Sequence, residues 1–173
     1  MLMNNDEMEQ FPHLHTYIKM ELPLLKDRRS NIWRAFKSRC ENDILAQSAI
    51  LYGQGPHVEV KRIMGSIDFD DNERILVAGR FPHDRKDRIY LASDIADTYE
   101  RFFTHELQAL VEGTLLHEAI HWARYHAKLS TGGGTEYHEM FIGGKRFERE
   151  AYGRDFGAEW RMILRRASHY HRQ

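Results

Sequence analysis

Cysteine is almost absent: Cys40 is the only one in 173 residues. No disulfide can therefore close within the chain, and no thiolate-rich metal cluster can be built from it. Any metal would have to be held by imidazole and carboxylate. Charge of one sign is lacking too. A formal net charge of −1 gives no field that would draw in nucleic acid or an anionic membrane, so neither is expected as a partner. No apolar run approaches the roughly 20 residues of a transmembrane helix, which argues against membrane insertion. The opening "MLMNNDEMEQ" has no basic start, apolar middle or small-residue cleavage site, so no secretory signal peptide is expected there. The chain is expected to be made in a cytoplasm, and this leaves open where it acts, because some secretion machines export folded cargo.

What remains is ordinary globular composition, 42% hydrophobic and 29% charged. The length suits one sizeable core, so a single domain over 1–173 is expected. A helical amino-terminal part is expected over 11–52. Phe11, Leu14, Ile18 and Leu22 recur at helical spacing until Pro23, and Ile32, Trp33 and Phe36 follow candidate caps at Asp27 and Ser30. "DILAQSAILY" at 43–52 predicts a further helix, stopped by "GQGP". Residues 58–92 read as a small sheet built from "VEVKRI", "ERILVAG" and "RIYLA". Between the last two strands lie Pro82, His83 and Asp84, in a solvated connection. Asp94 and Thr104 are candidate caps for the next two helices, the second expected over 105–127. "STGGGTEYHEMFIGGKRFE", 130–148, predicts a loop or loose hairpin, and a last helix is expected over 145–166. The fold class is α+β, mostly helical with a small sheet.

The chemistry concentrates in "LLHEAIHWARYH", 115–126. At 3.6 residues per turn His117 and His121 lie one above the other, and Glu118 is rotated about 100° from His117, beside that face. Two imidazoles so placed suit Zn2+, which lowers the pKa of coordinated water from about 15.7 to about 7. Glu118 stands where a general base would take that proton and pass it to a leaving amine. The expected chemistry is hydrolysis of a peptide or amide bond. The surroundings strengthen the reading, since Leu110, Val111, Leu115, Leu116, Ile120 and Trp122 mark a helix with little room for idle charge. Gly113, on the same stripe as His117, signals either close approach to the backbone near a site or plain helix packing.

Catalytic zinc takes three protein ligands and leaves one position open. The extended motif with a third histidine six residues on is excluded by spacing: position 127 is Ala127, and His126 is one residue out of register. The other source is a glutamate on a later helix, and Glu148, Glu150 and Glu159 are available. Glu150 also reads as half of a surface salt bridge. Tyr152 shares a face with Glu148 and could donate to the oxyanion formed in hydrolysis. A buried structural tyrosine is the alternative, and Tyr137 or His138 could serve equally.

Residues 148–152, "EREAY", are similar to the ExxA(D/Y) pattern of several glutamate-type zincins. That resemblance implies Glu148 as the third ligand, with Glu150 as runner-up and Tyr152 where aspartate is more frequent. More widely, "ILVAGRFPHDRKDRIYLASDIADTYE", "LVEGTLLHEAIHWARY" and "FEREAYGRDFG" resemble the metallopeptidase toxin domains of bacterial polymorphic toxin systems, including those on type VI secretion spike proteins. "FPHLHTYIKMELPLL" and "YGQGPHVEV" look like that family's amino-terminal half. The resemblance covers most of the chain. It implies a zincin-like fold, zinc on His117, His121 and Glu148, Glu118 as base, and a protein or peptide substrate. It further implies an effector delivered from a bacterium into a target cell, a cognate immunity protein, and a secretion spike or carrier. In such a fold "RIYLA" is the candidate edge strand for the substrate backbone, an interior place being the alternative.

Two other classes compete. One is a non-catalytic, zinc-stabilised interaction domain, its site closed by a fourth ligand such as His138. The other is an intracellular regulatory HExxH protease that cuts a repressor, although nothing here reads as a helix-turn-helix with a basic recognition face.

Overall fold

The computed structural model describes residues 1–67, 74–82, 84–127 and 136–170. Its amino-terminal part is helical, as the apolar spacing predicts. Helix α1, Asn5–Gln10, starts where the Asn4 side chain accepts the Glu7 amide at 2.8 Å. Helix α2, Pro12–Thr16, runs into a π turn at Tyr17–Glu21, a 3-10 turn at Leu22–Leu24, and α3, Leu25–Arg28. Phe11, Leu14, Ile18, Leu22 and Leu25 are all buried along this rod. Pro23 does not end it, because the proline falls in the first turn of a new segment, where its missing N–H costs nothing. Helix α4, Ser30–Cys40, has no side-chain cap, and Asp27 lies inside α3, so neither expected cap forms. Helix α5, Asp43–Ile50, is capped by Asn42, which accepts the Leu45 amide at 3.0 Å.

The strands are β1 (His57–Lys61), β2 (Met64–Ile67), β3 (Arg74–Leu76), β4 (Gly79–Arg80) and β5 (Arg88–Ala92). β2 and β3 pair as a separate antiparallel ribbon. β5 is the centre of the other sheet, parallel to β1 and antiparallel to β4. The expectation that "RIYLA" forms an edge is thus corrected. Ile89 and Leu91 are fully buried with Val58 opposite Ile89, and both hydrogen-bonding sides of the strand are taken. The edge beside it is β4. Asp84 is exposed, and His83 lies outside the described residues.

Helix α6, Ser93–Phe102, follows β5 directly, with Asp94 inside it rather than capping it. Helix α7, His105–His126, begins where Thr104 Oγ1 accepts the Leu107 amide at 3.2 Å, as the sequence predicts. It is the core of the molecule. Residues from Leu107 to Ala123 are buried on almost every side, under α4, α5, α6, β4, β5 and two further helices. Those are α8, Glu136–Tyr152, and α9, Phe156–Tyr170. Two expectations fail here. The segment 130–148 is helical from Glu136 onward, while 130–135 lies outside the described residues. The helix expected over 145–166 is two, divided at Gly153, which adopts φ +67° and donates its amide to Arg149 O at 3.0 Å. This is the left-handed glycine stop of a helix. Among the described residues no helix is long and apolar enough to cross a membrane.

Candidate active site

His117, Glu118 and His121 stand in the buried middle of α7, and Glu148 comes to them from α8. The rings of His117 and His121 are 5.0 Å apart, as residues one turn apart should be. His117 Nδ1 lies 2.5 Å from Glu148 Oε1. The other oxygen of Glu148 accepts the Phe156 amide at 2.7 Å, so the carboxylate sits at the positive end of α9. Glu148 is 3% exposed and Glu118 7% exposed, which puts two carboxylates in a largely dry space.

Each ionisable group responds to that space. Burial lifts the Glu118 carboxyl to about 7, and the charge of Glu148 adds to this; His117, the Phe81 amide that donates to Glu118, and Arg80 pull the other way. Burial alone would lower His117, but the Glu148 hydrogen bond and the charges of Glu118, Glu148 and Asp155 outweigh it and hold its pKa above the usual histidine value. Burial takes His121 down to about 3, with His117 and Arg124 adding to the fall, so its imidazole is neutral at neutral pH. A neutral imidazole is the form that lends a lone pair to a metal. His121 Nδ1 is buried without a hydrogen-bond partner among the described residues.

The walls of the site are backbone in two places. A methyl group at Gly79 of β4 would fall 2.9 Å from Glu118 Cγ and 2.7 Å from Thr114 Cγ2, so glycine lets the strand lie directly over the glutamate. A methyl group at Gly144 of α8 would fall 2.1 Å from His117 Nε2. Gly113 is a packing glycine: an added methyl would meet the Phe156 ring at 2.3 Å.

The other candidates lie elsewhere. Glu150 pairs with Arg39 at 2.6 Å on the surface, and Glu159 with Arg154 at 2.8 Å. The Tyr152 hydroxyl donates to Glu112 Oε1 at 2.8 Å. The side chains of Tyr137 and His138 lie outside the described residues. Three features escape sequence reading: the buried Glu112, the Phe156 amide on Glu148, and the Gly144 contact. Glu112 has a signal in hindsight, a lone charge in the apolar "LVEGTLL". Nothing in the local pattern announces the other two.

The donor set of two imidazoles and a carboxylate is one that zinc takes. The orphaned nitrogen of His121 and the paired buried carboxylates fit a cation there. The groups do not stand as a finished cage, for among the described residues no three His, Cys, Asp or Glu side chains are arranged to hold a metal ion. His117 and Glu148 bond to each other instead.

A buried helix that presents imidazoles and a carboxylate, with a second carboxylate facing it, suits a metal-dependent hydrolase. The chain belongs to the metallopeptidase toxin 3 family, whose family model matches residues 7–153. No curated protein and no solved structure matches the chain. Membership supports a peptidase toxin, a hydrolase of protein substrates, in a family whose description implies a metal cofactor.

Proposed function

We propose that the chain is a zinc-dependent peptidase toxin of the zincin-like HExxH type. In this reading His117, His121 and Glu148 hold the metal and Glu118 is the general base. The observation that carries it is the meeting of two buried carboxylates, Glu118 and Glu148, with the buried imidazole of His121 and the largely enclosed one of His117. Carboxylates removed from water are costly unless a positive partner answers them, and a divalent cation answers both. Zinc bound there would supply polarisation of the scissile carbonyl and acidification of water.

The protein's own groups do the rest. Glu118, oriented by the Phe81 amide, accepts a proton from the attacking water and returns it to the leaving amine. Glu150 is engaged at the surface by Arg39, which favours Glu148 as ligand. Tyr152 is engaged by Glu112, which favours a role in holding α8 over contact with the oxyanion. Among the described residues the edge next to Glu118 is Gly79–Arg80, and a substrate backbone adding to β4 would run beside the base. The toxin family supports delivery to a target in general; within this proposal the chain is a secreted antibacterial or host-directed effector, carried by a type VI spike or similar carrier and neutralised in the producer by a cognate immunity protein.

The test is elemental analysis of protein purified without a histidine tag, followed by proteolysis of an unfolded protein substrate. One equivalent of zinc is expected in the wild type, in Glu118→Gln and in Glu150→Ala, and none in Glu148→Ala. Glu118→Gln should lose proteolysis while keeping its zinc. A wild type that takes up no zinc when supplied, or a fully active Glu118→Gln, would overturn the reading.

A further inference from the structure

Glu112 is a buried acid of α7 to which the reaction gives no part. The residue is 2% exposed, a position in which a carboxylate is strongly destabilising unless its oxygens are satisfied. They are satisfied from three separate parts of the chain. Tyr17 of the π turn donates to Oε2. Arg29, ahead of α4, donates to Oε1 at 2.7 Å, and Tyr152, the last residue of α8, donates to the same oxygen at 2.8 Å.

Helices α7 and α8 are therefore joined by two polar rungs, Glu112 to Tyr152 and His117 to Glu148. From 112 to 117 α7 rises about 7.5 Å, and from 152 back to 148 α8 rises about 6 Å, so the rungs are in step on antiparallel helices. Between them the Phe156 ring fills the space over Gly113 and packs edge-on against Tyr152, 5.1 Å between centroids. The same residue's amide holds Glu148. Any slip of the last turn of α8 along α7 displaces Glu148 from His117.

We propose that the Glu112–Tyr152 hydrogen bond is a positioning device for Glu148, holding α8 in the register that sets its carboxylate opposite His117. The inference rests on the reading of His117, His121 and Glu148 as the metal site. Both members are positioning residues, and neither touches metal or substrate. Tyr17 provides an internal comparison. It donates a chemically identical hydroxyl to the same carboxylate but belongs to the amino-terminal rod, so its loss removes a buried hydrogen bond without releasing α8.

The experiment uses the full chain as wild type, Tyr152→Phe, Tyr17→Phe and Glu112→Gln. Zinc affinity is measured by competition with a chromophoric chelator, and thermal unfolding is measured on the metal-free proteins. Tyr152→Phe is expected to weaken zinc binding by about 10- to 100-fold. Tyr17→Phe should lower the unfolding temperature to a similar extent with less than about a threefold change in affinity, since a net hydrogen bond of similar worth is lost in each. Glu112→Gln, which leaves Arg29 and Tyr152 competing for a neutral amide, should follow Tyr152→Phe and serves if that variant does not fold. Wild-type affinity in Tyr152→Phe, or an equal loss in both tyrosine variants, would overturn the proposal and leave Glu112 as a structural anchor only. A wild type without zinc would instead remove the metal-site reading, and with it this inference, before any variant is compared.

Discussion

The adjacent glycines of α8 should respond in opposite ways to the same small change. Among the described residues an added methyl at Gly143 meets nothing within 4 Å, whereas at Gly144 it would stand 2.1, 2.3 and 2.4 Å from Nε2, Cδ2 and Cε1 of His117. Non-bonded atoms need about 3.5 Å, so at Gly144 something must move by more than about 1 Å. The imidazole is the far end of a side chain and yields before the backbone of α8 does. In yielding it breaks the 2.5 Å contact with Glu148. Replacing a mid-helix glycine by alanine is worth about 0.5–1 kcal/mol in either place. Gly143→Ala should gain this, with a rise of up to about 4 °C in unfolding temperature. Gly144→Ala sets the same gain against an overpacking cost of about 1–3 kcal/mol, so it should be no more stable than wild type. At the proposed zinc site the effect should be larger still, because a shift of about 1 Å far exceeds the roughly 0.2 Å that zinc–ligand distances tolerate. Calorimetry on the metal-free proteins and zinc titration on the same samples read both effects. If Gly144→Ala were stabilised as much as Gly143→Ala and bound zinc like the wild type, the packing of His117 on α8 would be wrong.

Other perturbations separate further parts of the structure. Glu150→Ala removes an exposed pair with Arg39 and should cost at most about 1 kcal/mol by chemical denaturation; a larger loss would mean the pair is structural. Gly113→Ala drives a methyl into the Phe156 ring and should lower stability by about 1–2 kcal/mol despite better helix propensity; a stabilised variant would refute the packing. Glu7 has its carboxyl raised by burial, against the pull of the Val60 amide, so the folded state loses stability as pH rises through and above the ordinary glutamate value. Glu7→Gln should therefore fall less in urea midpoint than wild type between pH 4 and pH 7, and parallel curves would contradict that burial. Cys40 is fully enclosed and burial pushes its thiol well above the usual range, so a thiol reagent should label it at the rate of unfolding; immediate labelling of native protein would place it at the surface.

How far the sequence could be read follows from the range of the forces involved. The span of α7 and its Thr104 cap were legible because apolar periodicity and capping are local to the chain. So was the placing of His117, Glu118 and His121 on one helix. "RIYLA" was misplaced because an alternating pattern identifies a strand but not its neighbours; parallel pairing with β1 depends on residues about thirty positions away. Gly143 and Gly144 led to a loop expectation for the opposite reason. Their cost to a helix is real, and in the structure tertiary contact with His117 accounts for one of them. Reading 145–166 as one helix passed over Gly153, which looked like any other helix glycine until its left-handed φ was known.

The turn from Gly153 to Asp155 also limits how this chain can drift. It returns the Phe156 amide to Glu148 with no slack, while Asp155 Oδ1 accepts the Ala158 amide at 3.3 Å to begin α9. One residue inserted in so short a turn would shift that amide relative to the carboxylate that accepts it. Loops elsewhere can lengthen at little cost, but here a change of length alters the site itself, so the count of residues between Glu148 and Phe156 is as much a part of its specification as their identity.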